Sequence, residues 1–332
     1  MKHINVALFV SDLGCPHRCS FCNQKTISGK ITPPSAEDVE KAVETALSTA
    51  ECNDGEIAFF GGSFTAIGRG YMLELLKKAG KYVSGGMFRG IRISTRPDCI
   101  DADVLSVLKK YGVTSIELGC QSMDDEVLSL NNRGHSSACV PIAAELIKSF
   151  GFELGVQMMT GLYGDTREKS IETAKKLIAL KPDTVRIYPT VVLEGTELES
   201  LYRKGEYTPQ SLEEAVDLCS ELLMMFNESD IRVIRMGLHS GGNVEEGFVA
   251  GVYHPAFREL CESRIYLKIT EKELESISCK DAEITVGSRY VSMLTGQKKS
   301  NIKELENKGY KVRIVQDNSY PKYKITVRGI EK

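Results

Sequence analysis

No run of apolar residues in this 332-residue chain approaches the roughly 20 that a membrane-spanning helix requires. The apolar stretch near the start, Val6 to Val10, meets Ser11 and Asp12 at once. A secretory signal needs a longer apolar region and a small-residue cleavage site, so none is expected. Neither sign of charge dominates: 42 Lys and Arg against 45 Asp and Glu leave a formal net charge of −3. That gives no global reason for a polyanionic partner, although a local basic patch stays open. Low-complexity tracts and repeats of solenoid length are also lacking. These absences predict a soluble, cytoplasmic protein with no membrane partner. With 42% hydrophobic and 26% charged residues, the chain can bury an ordinary globular core. Its length fits either two domains or one α/β barrel.

Ten cysteines are present, and without a secretory signal they imply a reducing compartment rather than a disulfide framework. Seven are isolated in apolar or helical surroundings and read as small buried hydrophobes. Cys15, Cys19 and Cys22 stand together and need another explanation.

The first two-thirds of the chain alternates strand and helix. Strands are predicted at 4–13, 56–62, 91–96, 115–122, 153–162 and 184–193, with amphipathic helical periodicity between them. Helix starts are marked at Ser35, Asp101 and Asp165 or Thr166. Six strands with crossover helices imply a parallel sheet, an α/β fold read as an incomplete (β/α)6 TIM-like barrel open on one side. Glycines and polar residues gather at the C-terminal strand ends, the edge where such barrels place their chemistry. After Gly195 the pattern changes. A long helix is expected at 211–227, a further strand at 231–236, and a glycine-rich loop after His239. Residues 1–267 are assigned to the barrel with its extension, and 268–332 to a small basic α/β appendage. The appendage is expected to hold a helix at 300–307 and a hairpin of 311–315 with 323–327.

The cysteines lie in Cys15-Pro-His-Arg-Cys19-Ser-Phe-Cys22, directly after the first strand. Structural zinc normally takes four ligands in two paired knuckles, and no matching second pair follows. A redox Cys-x-x-Cys pair leaves Cys15 unexplained. Three thiolates on a four-iron cluster leave one iron for a small chelating molecule. The spacing favours the cluster; zinc and chance remain the alternatives.

This spacing, with Phe21 before the last cysteine, resembles the signature of the radical S-adenosylmethionine (SAM) superfamily. The resemblance implies a [4Fe-4S] cluster on Cys15, Cys19 and Cys22 and reductive cleavage of SAM to a 5′-deoxyadenosyl radical. It also implies an electron donor such as flavodoxin or ferredoxin. Phe21 would pack near cluster and adenine, and Gly61-Gly62-Ser63 resembles the glycine motif that meets the methionine amino group. Glycine lets backbone approach a ligand closely. Six further segments, from Ile93-Ser-Thr-Arg-Pro-Asp98 to Val249-Ala-Gly-Val252, resemble in order the radical domain of the Elongator catalytic subunit. That family modifies wobble uridine in tRNA with the help of an acetyltransferase domain, for which this chain has no room. Gly161-Leu-Tyr-Gly-Asp-Thr166 also resembles a loop of oxygen-independent coproporphyrinogen oxidases.

Further site residues are expected at the strand ends. Thr95 and Arg96 fall where the superfamily contacts the cofactor's ribose and carboxylate; Arg96 also suits a cap. Glu117 and Gln121 share one strand face by period two and are candidate catalytic groups beside Tyr188. Gln157 and Arg186 are candidate cofactor ligands facing the barrel lumen, or satisfied core residues. His135 suits either substrate contact or a cap, and His239 and His254 read as structural. Residues 297–332 carry ten basic and four acidic residues with Tyr310, Tyr320 and Tyr323 interleaved. That composition suits RNA binding, and equally a solvated face. Three functions follow: a radical enzyme on tRNA or another RNA, one on a small metabolite or tetrapyrrole, or a non-catalytic cluster- or zinc-binding RNA module.

Overall fold

The computed structural model describes residues 5–10, 13–15, 18–29, 32–49, 54–238 and 243–330. The glycine-rich loop with His239, Cys52 and Lys332 lie outside the described residues.

Seven strands form one sheet: β1 (Asn5–Val10), β2 (Glu56–Gly61), β3 (Gly90–Thr95), β4 (Val113–Gln121), β5 (Glu153–Thr160), β6 (Thr184–Pro189) and, after a short β7 (Val191–Leu193), β8 (Arg232–Met236). The order is β1-β2-β3-β4-β5-β6-β8, and every pairing is parallel. The expected α/β barrel fold is present, and among the described residues β1 and β8 are its edges, so the sheet is open there. It has one strand more than the six predicted. The stretch 231–236, read as an extra strand beyond the barrel, adds to β6 as the seventh.

Parallel strands need crossovers, and helices supply them: α1 (Gln24–Ser28) and α2 (Ala36–Thr49) after β1, α3 (Arg69–Ser84) after β2 and α4 (Ala102–Lys110) after β3. Then come α5 (Asp125–Leu130) and α6 (Cys139–Ser149) after β4, α7 (Arg167–Ala179) after β5, and α8 (Glu197–Arg203) and α9 (Leu212–Glu228) before β8. The marked starts behave as caps. Asp101 accepts from the Val104 amide and Thr166 from that of Lys169. Ser35 and Asp38 bond each other's amides in a reciprocal box. The predicted strand 184–193 breaks at Thr190, whose amide turns to the Thr160 carbonyl; β7 then pairs with β9 (Phe248–Gly251) in a separate antiparallel ribbon.

Two compact units emerge, one of residues 1–210 with 226–252, the other of 211–225 with 253–332. Residue 268, where the appendage is expected to begin, falls inside α10 (Phe257–Glu275). The second unit contains β10 (Asp281–Val286), α11 (Val291–Thr295), α12 (Ser300–Asn307), β11 (Lys311–Gln316) and β12 (Ile325–Gly329). Helix 300–307 is as predicted, but the hairpin is not. The order is β11-β10-β12, with β10 inserted between the expected partners. Asp281-Ala-Glu-Ile-Thr-Val alternates with period two and buries Ala282, Ile284 and Val286. Its apolar side packs on Tyr266, Leu267, Leu274, Leu294 and Leu305, so the central position buries more than an edge would.

Candidate active site

The C-terminal halves of the first unit's strands surround a cavity of about 360 Å³, a volume within the ordinary range for small-molecule sites. Period two aims Glu117, Gly119 and Gln121 of β4, Gln157 and Met159 of β5, and Arg186 and Tyr188 of β6 at this lumen. The loop after β1 brings Cys15, Cys19, Phe21 and Cys22, and the ends of β2 and β3 bring Gly61, Gly62, Ser63, Thr95 and Arg96. The cysteines, Phe21, the Gly61–Ser63 turn, Thr95, Arg96, Glu117, Gln121, Gln157, Arg186 and Tyr188 all line this one cavity; His135 does not.

The cysteine loop is fitted closely to the loop after β2. A Cβ on Gly62 would stand 2.4 Å from the Leu13 carbonyl and 3.5 Å from Cys15 Sγ. Gly14 has φ +75°, and a Cβ there would meet the Ser63 carbonyl at 2.3 Å. Both glycines are therefore needed to seat Cys15. Arg133 Nη1 lies 3.2 Å from Cys19 Sγ, and Gln24 Nε2 donates to Cys22 Sγ at 3.2 Å. Burial raises the Cys15 thiol; burial and then the neighbouring Cys19 push that of Cys22 up to about 12. A cation that binds the thiolates would offset that rise. Among the described residues no three His, Cys, Asp or Glu side chains converge on a single-ion site. Cys15, Cys19 and Cys22 all line this one cavity, and three thiolates there would suit an iron–sulfur cluster.

At the end of β3, Thr95 Oγ1 bonds the hydroxyls of Ser63 at 2.8 Å and Thr65 at 2.6 Å. Arg96 forks onto Asp98 with two bonds of 2.9 Å and donates to the Arg133 carbonyl. Burial acts to raise the Asp98 carboxyl, but the Arg96 bond and charge prevail and hold it low. The remaining nitrogen, Nη1 of Arg96, is buried without a partner among the described residues. It is an orphaned donor of the kind a ligand carboxylate satisfies.

The opposite wall is a buried ionic chain. Glu117 accepts from Arg186 Nη2 at 2.9 Å and Arg92 Nη1 at 3.3 Å, and Arg92 continues to Glu56 at 2.7 Å. Arg186 sits 5.0 Å from the Phe60 ring centroid and donates to the Tyr188 hydroxyl at 3.4 Å. Gln121 accepts from Gln157 Nε2 at 3.1 Å while its backbone holds φ +66°. A left-handed non-glycine residue costs about 1–3 kcal/mol.

Arg133, Gln24 and Arg235 also line the cavity and were missed. In Asn132-Arg-Gly-His135 the sequence draws attention to the histidine, yet Arg133 enters the site. His135 lies outside the cavity in an open groove with Arg18 and Asp125, its imidazole held below its ordinary pKa by burial and then by Arg133. His254 Nδ1 accepts the Ala256 amide, a turn contact. The Gly161–Thr166 segment is structural too. Gly161 donates to Asp165 at 2.8 Å and accepts from the Tyr207 hydroxyl at 2.6 Å, and none of the segment lines the cavity.

With this geometry in hand, comparison with known proteins is decisive. Residues 13–177 match the Radical SAM superfamily and residues 182–267 the Radical_SAM C-terminal domain. The chain belongs to the radical SAM superfamily. It is an enzyme of that class, and the superfamily's cofactors, a [4Fe-4S] cluster and SAM, are its own. Uncharacterized protein MJ0486 of Methanocaldococcus jannaschii is 31% identical over 226 residues, 64% of this chain and 68% of that one. The tRNA uridine(34) acetyltransferase of Methanocaldococcus infernus is 37% identical over 131 residues, 39% of this chain but 24% of the relative. The solved archaeal Methanocaldococcus infernus Elp3, with an N-terminal deletion, superposes with TM-score 0.65 at 26% identity, covering 86% of this radical SAM chain and 66% of that chain. The Elongator-like resemblance therefore holds in sequence and in fold, while the chain spans only about a quarter of the acetyltransferase.

Proposed function

We propose that this radical SAM enzyme modifies a tRNA, in the cytoplasm, with electrons from a flavodoxin or ferredoxin. The observation that carries the reading is the convergence of the cysteine triad, the glycine pair and the polar strand ends on one cavity in a chain similar to a tRNA uridine(34) acetyltransferase. When bound, the cluster on Cys15, Cys19 and Cys22 supplies the electron that cleaves SAM to a 5′-deoxyadenosyl radical. Arg133 and Gln24 steady the thiolates by donating to Cys19 and Cys22. Gly61, Gly62, Ser63 and Thr95 offer close backbone and hydroxyls to SAM, Phe21 an apolar flank, and Arg96 its orphaned Nη1 to the carboxylate. Gln157 and Arg186 complete that shell. Gln121 and Tyr188 face the substrate, and Glu117 fixes Arg186 against them.

The test is anaerobic reconstitution followed by measurement of 5′-deoxyadenosine with and without cellular tRNA. The expected result is release stimulated by tRNA and abolished in Cys19→Ala. Release stimulated by a small-molecule extract but indifferent to RNA would reject tRNA as substrate. No release from the cluster-loaded protein would reject the catalytic reading altogether.

A further inference from the structure

Four arginines line the cavity, and three are held by groups of its wall, although Arg96 Nη1 and Arg133 Nε stay without a partner among the described residues. Arg96 is paired with Asp98, Arg133 with Cys19 Sγ and the Gly119 carbonyl, and Arg186 with Glu117. Arg235 differs. It lies on the edge strand β8, in register with Arg186 on β6, and is half-buried. Among the described residues its one hydrogen bond runs from Nε to the Gly237 carbonyl, two residues on, at 3.2 Å. The lining contains a single carboxylate, Glu117, already shared by Arg92 and Arg186.

A guanidinium drawn partly out of water without a counter-ion is unfavourable unless an anion completes it. Nothing in the described lining does. In the proposed site the cofactor's methionine end is met at Gly62, Ser63 and Arg96, which follow β2 and β3, five and four places from β8 in the sheet order. The anion that meets Arg235 therefore belongs to the other reactant. Guanidinium matches phosphate oxygens with two parallel bonds. Phe9, Met159 and Leu238 give the same cavity apolar lining suited to a planar base.

We propose that Arg235 is a specificity-determining residue that binds a phosphate of the substrate nucleotide. The choice of a nucleotide rests on the tRNA reading; the uncompensated charge does not.

The probes are uridine, uridine 5′-monophosphate and inorganic phosphate, titrated calorimetrically into cluster-loaded protein with SAM present. Wild type should bind the monophosphate about tenfold to a hundredfold more tightly than uridine, the ordinary worth of a charge-assisted bond. Arg235→Gln should bring that ratio close to one, and Arg235→Lys, which keeps a cation without the fork, should retain part of it. The lysine variant also separates loss of recognition from loss of fold. With tRNA, Arg235→Gln should raise KM more than it lowers kcat. A wild-type protein that does not discriminate uridine from its monophosphate overturns the proposal, as does a glutamine variant that still does. Inorganic phosphate binding as tightly as the monophosphate overturns the nucleotide assignment. The two readings fail separately. If tRNA stimulates 5′-deoxyadenosine release but Arg235→Gln keeps the discrimination, only this proposal falls. If RNA has no effect while the ratio behaves as expected, only the tRNA reading falls.

Discussion

Gly62 carries a constraint out of proportion to its size. Its missing side chain lets the β2 loop lie against the Leu13 carbonyl and Cys15 Sγ. A methyl there meets backbone, which cannot swing aside as a flexible side chain would. Gly62→Ala should therefore displace the Cys15 loop and lower iron content after reconstitution severalfold, read by iron analysis, while far-UV circular dichroism barely changes. Full iron loading in the variant would show that the fit is looser than described. Asp165 poses a different question. Gly161 and Ser170 both donate to its Oδ2, and Oδ1 is buried with no hydrogen-bond partner among the described residues. Burial raises its carboxyl above the ordinary range, and the hydrogen bonds and Lys169 only partly offset this. A raised folded pKa means the protonated form is favoured on folding. That stability is full below about pH 4, the unfolded carboxyl value, and is lost as pH rises through the folded pKa. Asn keeps one oxygen for both donors and removes the charge. Asp165→Asn should unfold at an equal or higher temperature than wild type at pH 7, with the difference shrinking as pH falls toward 4. A variant that loses stability at pH 7 would mean the ionised carboxylate has a use at this turn.

Among the elements, β3, β4 and β6 are tied by charge as well as by the sheet. Glu117 is the only carboxylate ion-paired with Arg186 among the described residues, whereas Arg92 keeps Glu56 as a second partner. Removing one member of a buried pair costs about 3–5 kcal/mol, and removing both costs much less. Glu117→Gln should lie near the lower end, and Glu117→Gln with Arg186→Met should recover part of the loss in urea unfolding. A strictly additive double variant would deny the coupling. The same strands explain what was legible in the sequence. Alternate residues of a parallel strand's C-terminal half face one lumen, so period two places Glu117, Gln121, Arg186 and Tyr188 at the cavity, while Gln157 stands out as a polar residue in the apolar stretch 156–159. Arg133 has no such periodicity. Its loop is placed by Asn131, which accepts the Ser20 hydroxyl and donates to the Tyr163 carbonyl, contacts over 111 and 32 residues that local pattern does not reveal. The false hairpin has a related cause. Adjacent strands were joined because they are adjacent, while β11 pairs in parallel with β10 across α12.

On the scale of the molecule, the tRNA proposal asks where a chain of net charge −3 would hold RNA. Counting lysines in the C-terminal segment overstates the case, because composition records charge without its partners. Lys308 is paired with Glu271 and Glu304, Arg313 with Glu283, and Lys322 with the buried Glu262. Across the sheet of the second unit, Asp281 faces Lys311, and Glu283 faces both Arg313 and Arg328. Tyr323 and Tyr310 pack on the core instead of forming a stacking platform. Lys298, Lys299 and Lys303 form a run of exposed cations without an ion pair among the described residues, and Lys324 is exposed and unpaired as well. If tRNA is held at that run, its three lysines contact phosphate. Each contact contributes about 0.7–0.9 to the slope of log affinity against log salt. Replacing all three by glutamine should flatten the slope for tRNA by about 2 and weaken binding at low salt. Lys308→Gln and Arg313→Gln, whose charges are already matched, should leave the slope near its original value. Equal effects from the two sets would point to a diffuse field, and an unchanged slope in the triple variant would move the RNA site to another part of the chain.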